Sequence, residues 1–234
     1  MTAYVLVHSP AVGPITWSAV AALLHARGDD AVVPDLHYVG AASPPYWPYV
    51  VDVVADAMGQ LDDDGPVVLV GHSNAGLLLP AIAEGSPRPV GGAVLVDAAM
   101  PARGASPAAP PAFLERLRAL AAADGSLPRW TQWWDDADVA ELLPDPEQRR
   151  RVVEDQPRLP LAYYQQELPT PDPWWTLPRA YLRLSAAYDA ELAEARAAGW
   201  PTAALDGGHL HQVVDPVAVE DVVVGLAGVL LRQG

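Results

Sequence analysis

The sequence predicts an α/β fold: a six-stranded, mostly parallel sheet with helices on both faces, broken by one helical insertion. Three observations carry that expectation. Short β-branched runs recur without polar alternation, as strands buried on both faces do. Segments with helical apolar spacing follow them, which is the crossover a parallel pair requires. The pattern then stops for residues 101–178 and resumes afterwards to the end of the chain.

In order, "YVLVH" at 4–8 reads as the first strand and "TWSAVAALLHARG" at 16–28 as its helix. "AVVPDL" at 31–36 and "YWPYVVDVVADAMGQL" at 46–61 make the second pair, and "PVVLVG" at 66–71 and "NAGLLLPAIAEG" at 74–85 the third. A fourth strand, "GGAVLVDAA" at 91–99, is followed by no prompt helix. Residues 101–178 are instead dense in proline, carry Trp130, Trp133, Trp134, Trp174 and Trp175, and hold helical pieces at 111–125 and 144–157. An insertion of that size is more than a loop. It reads as a cap over the C-terminal strand ends, where ligands bind in open α/β sheets. The pattern returns with "RAYLRLS" at 179–185, a helix at 190–200, a strand "PTAALDGG" at 201–208 and a final amphipathic helix from about Pro216 to Leu231. The expected organisation is a core of residues 1–100 and 179–234 with 101–178 as its cap.

Composition narrows the function. The 234 residues are 51% hydrophobic and 18% charged, the balance of a soluble globular protein. No apolar run approaches the roughly 20 residues of a membrane helix. "YVLV" has no basic segment before it and is too short for a leader, so a cytoplasmic protein is expected. The 29 acids face 14 bases, every base is arginine, and the formal net charge is −15. Such a surface repels nucleic acid and anionic membranes, which leaves a small molecule as the expected partner; a homodimer stays open. The absence of cysteine removes disulfides, thiolate metal sites and a thiol nucleophile. No His/Asp/Glu spacing matches a metal site, and no glycine-rich stretch has the lysine or the strand-turn-helix context of a nucleotide site, so neither metal nor cofactor is expected.

The strongest local signal is "VVLVGHSNAG" at 67–76. Ser73 stands between a strand and a helix, flanked two residues away by Gly71 and Ala75. A serine in such a sharp turn is strained and exposed above the sheet, and the small neighbours let the chain pack closely around it. The N–H of Asn74 and the helix N-terminus can then stabilise a developing oxyanion. The plainer alternative is a glycine-rich turn with Ser73 as an N-cap. A histidine after the last strand, in "GGHLHQVVDP", favours the first reading, because the third member of a Ser, acid, His series belongs there.

With "LVHSPAVGPITW", "VGHSNAG", "VLVDAAMP" and "GGHLHQVVDP" the chain resembles the α/β-hydrolase superfamily over nearly its whole length, and its short build is similar to the hydroxynitrile lyase and methylesterase branch. The resemblance implies an α/β-hydrolase fold and a serine enzyme. It does not name a substrate, because the fold hosts esterases, lactonases, dehalogenases, lyases and cyclases. It implies His209 as general base, with His211 as rival; His72 is expected to pack, and His8 to support the oxyanion loop. The acid usually follows the strand after the cap, where Ala187 aligns and Asp189 is the nearest carboxylate. The alternative is Asp97, after the fourth strand, and Asp97 is preferred here. The second oxyanion donor is implied two residues beyond His8, at Pro10, which has no N–H. Either Ser9 or Ala11 takes its place or the chemistry needs no complete hole.

Tyr46, Trp47 and the five cap tryptophans are expected to wall a pocket for a small hydrophobic or aromatic substrate. Arg129 and Arg179 could bind a carboxylate, with surface arginines as the alternative. The leading expectation is a serine hydrolase of an ester, lactone or thioester. A lyase, dehydratase or cyclase using Ser73 and His209 for proton transfer stands second, and a silent ligand-binding protein third.

Overall fold

The computed structural model describes residues 1–62 and 64–232. The chain begins β1 (Ala3–Val7), α1 (Ile15–Ala26), β2 (Asp30–Val32), α2 (Trp47–Met58), β3 (Val67–His72), α3 (Leu79–Glu84) and β4 (Val90–Val96). The inserted segment holds β5 (Gly104–Pro107), α4 (Pro111–Leu120), α5 (Asp136–Leu142), α6 (Pro146–Glu154), α7 (Leu161–Tyr164) and β6 (Glu167–Thr170). The chain closes with β7 (Arg179–Arg183), α8 (Asp189–Ala197), β8 (Thr202–Ala204), α9 (His211–Val214) and α10 (Pro216–Leu230).

Six strands form one sheet in the order β2-β1-β3-β4-β7-β8, and every neighbouring pair is parallel. Because successive side chains point to opposite faces, the continuous apolar runs serve two cores. Val5 and Val7 of β1, Leu69 of β3 and Leu95 of β4 pack with Val50 and Val54 of α2 on one face. Tyr4, Leu6, Val68, Val70, Val94 and Val96 pack with Trp17, Val20 and Leu24 of α1 and Val219, Val223 and Leu230 of α10 on the other.

Several boundaries differ from expectation. The helix expected over 74–85 opens as a 3₁₀ turn, Ser73–Leu77, and α3 starts only at Leu79. Pro80 sits in its first turn, where a missing N–H breaks no helical bond. The helix expected to reach residue 125 stops at Leu120, and the last strand contracts to Thr202–Ala204. The insertion is not purely helical, since β5 and β6 pair antiparallel from Gly104↔Thr170 to Pro107↔Glu167. Proline hid this ribbon: Pro107 and Pro169 occupy ladder positions that an isolated two-stranded ribbon, being all edge, tolerates. Among the described residues no helix is long and apolar enough to cross a membrane.

The topology decides where the chemistry collects. From β1 the chain crosses to β2 on one side and later to β3 on the other, so the direction of winding reverses between β1 and β3. Crevices at such reversals, beyond the carboxyl ends of the strands, are the binding sites of open α/β sheets. His8 follows β1 there, Ser73 follows β3, Asp97 follows β4, and His209 lies in the loop after β8.

Candidate active site

Ser73 and Asp97 are the first residues beyond two strands in register, His72 pairing with Val96. Both turn through left-handed backbone, Ser73 at φ 58° and Asp97 at φ 44°, conformations costly to non-glycine residues and found mostly at functional turns. The close approaches that make the Ser73 turn possible fall on glycine. A Cβ at Gly76 would lie 2.6 Å from the Ala99 carbonyl oxygen, and one at Gly71 would lie 2.9 Å from the Leu79 side chain. Gly76, one position past the residue the motif singles out, therefore carries the tightest contact, and Ala75 is accommodated, fully buried. The Asp97 turn is held by Tyr181, whose hydroxyl donates to the Ala98 carbonyl at 2.8 Å and accepts from the Ala98 N–H at 3.0 Å.

Asp97 is buried completely, and donors surround it. Oδ1 accepts from the Leu184 and Ser185 N–H groups at 2.7 and 3.0 Å; Oδ2 accepts from Ser185 Oγ at 2.6 Å and from His209 Nδ1 at 2.8 Å. Burial works to raise this carboxyl, but the hydrogen bond and charge of His209 and the bonds from Ser185 more than offset it and hold Asp97 below the ordinary carboxylate value. A carboxylate only accepts, so His209 carries its proton on Nδ1. Its Nε2 is left as an acceptor 3.0 Å from Ser73 Oγ. The result is a continuous hydrogen-bonded chain, Ser73–His209–Asp97.

The other histidines are committed elsewhere. His72 Nε2 donates to the His209 carbonyl at 2.7 Å, and its ring lies 4.5 Å from the His209 ring. Burial pushes its pKa down to about 3, so it stays neutral. His8 donates from Nδ1 to the Ser9 carbonyl at 2.9 Å and accepts at Nε2 from the Leu36 N–H at 3.2 Å. Burial lowers its pKa to about 4, and it fixes the start of the loop after β1. His211 opens α9 with its ring against Gly207 and does not line the cavity described below.

The structure separates the two carboxylate alternatives. Asp189 begins α8, is largely exposed, and pairs with Arg183 Nε at 3.0 Å, away from His209 Nδ1. In the loop after β1, the Val12 N–H donates to the Ser9 carbonyl at 3.0 Å, which makes residues 9–12 a turn with Pro10 second. Proline favours that position because its φ is already set. Ser9 and Ala11, on either side of it, line the cavity, whereas Pro10 does not. Neither the Ala11 N–H nor the Asn74 N–H has a partner in the hydrogen bonds of the described residues. The Asn74 side chain ties the turn to the insertion, donating to the Ala108 carbonyl at 2.8 Å and accepting from the Tyr163 hydroxyl at 2.9 Å.

A cavity of about 540 Å³ opens over Ser73 and His209. Trp130, Trp133 and Trp134 line it with Phe113, Tyr164, Leu142 and Tyr188. Tyr46, Trp47, Trp174 and Trp175 do not line it. Tyr46 packs against Tyr163, and the Tyr46 and Trp47 N–H groups both donate to Gln166 Oε1. The Arg179 guanidinium lies over the rings of Trp174, Trp175 and Trp200, and Arg179 does not line the cavity either. Arg129 caps the short turn Trp130–Trp133. Tyr188 and Ser185 escaped the sequence reading. Both hydroxyls lie in "LSAAYDAE", beside the carboxylate of Asp189.

A left-handed serine, a histidine and a buried carboxylate, delivered by the carboxyl ends of β3, β8 and β4 of a parallel sheet, define an enzyme of the α/β-hydrolase class. The alpha/beta hydrolase family model matches residues 4–222, and the chain belongs to that family. Among solved structures, an extracellular alpha/beta-hydrolase from a Paenibacillus species, described as homologous to tobacco salicylic acid binding protein 2, is similar with a TM-score of 0.76 and 18% identity. That alignment covers 97% of this chain and 99% of that one. Polyneuridine aldehyde esterase aligns with a TM-score of 0.70 at 17% identity over 97% and 99% of the two chains. Tomato methylketone synthase I, complexed with β-ketoheptanoate, aligns at 0.71 and 15% over 98% of each. A search of curated proteins finds no match. At 15% to 18% identity these neighbours share the fold of this chain.

Proposed function

We propose that the protein is a serine hydrolase that cleaves an ester, lactone or thioester of a small hydrophobic molecule through an acyl-Ser73 intermediate. The observation that carries this reading is His209, its Nε2 3.0 Å from Ser73 Oγ and its Nδ1 2.8 Å from a fully buried Asp97, at the floor of an aromatic cavity. Ser73 Oγ attacks the carbonyl carbon and its proton passes to His209 Nε2; Asp97 orients the ring and stabilises the imidazolium. The carbonyl electron pair moves onto oxygen, where the Asn74 N–H and the Ala11 N–H are the proposed donors. Pro10 then has a structural role: it sets the turn and hands the donor position to the next residue. Collapse expels the alcohol with the His209 proton, and water, activated by the same histidine, releases the acid.

Residues 101–178 act as the cap in this reading, since Phe113, Trp130, Trp133, Trp134 and Tyr164 supply the apolar walls. Polyneuridine aldehyde esterase and the pyrethroid hydrolase PytH, the latter at 16% identity, are named as an esterase and a hydrolase and support a hydrolytic reading. One observation favours the second reading, a lyase or related enzyme. Ser9 lines the cavity, and its hydroxyl has no hydrogen-bond partner among the described residues, so it is free to donate to a substrate.

The test is labelling with a fluorophosphonate probe followed by intact-mass measurement. Stoichiometric modification of the wild type, abolished in Ser73→Ala, is expected. Turnover of the true substrate without any acyl adduct would move the assignment to the lyase reading.

A further inference from the structure

Tyr188 was not among the expected site residues, yet it packs on one of the reacting groups. Its ring stacks on His209 with centroids 5.1 Å apart and 5° between the planes. The residue lines the same cavity as Ser73. The loop that carries it is clamped by the same carboxylate that holds His209: Leu184 and Ser185 donate to Asp97, and the Tyr188 N–H donates to the Ser185 carbonyl at 3.1 Å.

We propose that Tyr188 is a further catalytic residue, whose hydroxyl donates a hydrogen bond to the leaving-group oxygen beside the proton delivered by His209. The inference rests on the acyl-Ser73 reading. In the resting site Ser73 gives its own proton to His209 Nε2. Parallel stacking sets the Tyr188 ring on the face of His209, on the wall of the cavity that Ser73 also lines. A departing oxygen must lie against Nε2 to take its proton, so it also lies beside Tyr188. In the step itself the oxyanion pair re-forms the carbonyl, the bond from carbon to the leaving oxygen breaks, and that oxygen takes the Nε2 proton. Tyr188 lends a hydrogen bond and keeps its proton throughout. Burial raises its pKa to about 12, so the hydroxyl is a donor at any working pH.

Phenyl and 4-nitrophenyl butanoate share an acyl group and differ in leaving-group basicity, and kcat/KM reports acylation for both. In Tyr188→Phe, which keeps the stacked ring, kcat/KM for the phenyl ester is expected to fall at least tenfold further than that for the nitrophenyl ester. The nitrophenolate needs less help to leave, and losing one hydrogen-bond donor to a developing oxyanion costs about two to three orders of magnitude. Equal losses on both esters, or no loss on either, would overturn the proposal. Tyr188→Leu, which removes ring and hydroxyl together, gives the same comparison should the phenylalanine variant not fold. Fluorophosphonate labelling of the wild type separates the two levels. An adduct on Ser73 with an unchanged ester ratio removes the role of Tyr188 alone; no adduct and no cleavage of either ester removes the acyl-Ser73 reading with it.

Discussion

Four hydrogen bonds converge on the two oxygens of Asp97, a residue fully buried in left-handed backbone just beyond a strand. Three of the donors belong to the β7 loop and one to His209, so the carboxylate holds the loop and the histidine at once. Asp97→Asn replaces an acceptor by a donor against these N–H and O–H groups. On the proposed mechanism its kcat is expected to fall by about four orders of magnitude, the scale seen when a triad histidine loses its orienting carboxylate. The same change is expected to cost about 1–3 kcal/mol of stability through unsatisfied buried donors. The pH dependence follows from the depressed pKa of Asp97. Its contribution is fully present above the ordinary carboxylate value near 4, and is lost as pH falls through the lower value of the folded state. Urea unfolding of wild type and Asp97→Asn is therefore expected to show a stability gap that narrows from pH 6 toward about pH 3. A gap unchanged over that span would mean that the charge of Asp97 contributes nothing.

At the scale of elements, the strand-to-helix turn at Ser73 is governed by backbone approach as much as by the residue that reacts. Gly76 faces the Ala99 carbonyl, which belongs to the backbone and cannot swing away; Gly71 faces only the ends of the Leu79 side chain. Gly76→Ala is expected to destabilise by about 1–3 kcal/mol, and Gly71→Ala by less, because Leu79 can shift its rotamer. Thermal melts rank the two, and slower fluorophosphonate labelling in Gly76→Ala shows whether the displaced turn moves Ser73. The insertion is tied to the core at a second element end. Asp155, at the C-terminus of α6, accepts from the Ile15 N–H at 2.9 Å and so caps α1, where the preceding Pro14 has no capping side chain. Asp155→Ala is expected to lower stability by about 1 kcal/mol, the usual value of an N-cap, read from the denaturation midpoint.

Across the whole molecule, the charge balance and the cavity agree. The net charge is −15, and the cavity carries Asp138 and Glu191 with no arginine among its lining residues. Neutral esters are the expected class of substrate, and one bearing a carboxylate meets repulsion both in approach and in the cavity. At low ionic strength kcat/KM for the anionic ester is expected to fall below that of its neutral analogue. The gap narrows as salt shortens the screening length to about 10 Å near 0.1 M. A gap that ignores salt would place the discrimination in cavity shape instead.

The sheet is legible in the amino-acid sequence alone, because doubly buried strands must read as unbroken apolar runs. Ser73 and His209 stand out there as candidates, because a strained turn and the residue after the last strand are local features with local spacing. The sequence preferred Asp97 to Asp189 as the acid, but spacing along the chain does not say which of two loops reaches Nδ1 of a histidine more than a hundred residues away. The pairing of β4 with β7 settles it, since it brings the Ser185 loop and His209 together on Asp97. The same holds for the aromatic walls. Trp130 and Trp174 look alike in sequence, but one faces the cavity and the other holds a guanidinium against the sheet. Tyr188 is the extreme case: its stack on His209 exists only because two distant loops fold against each other, and no spacing along the chain encodes it.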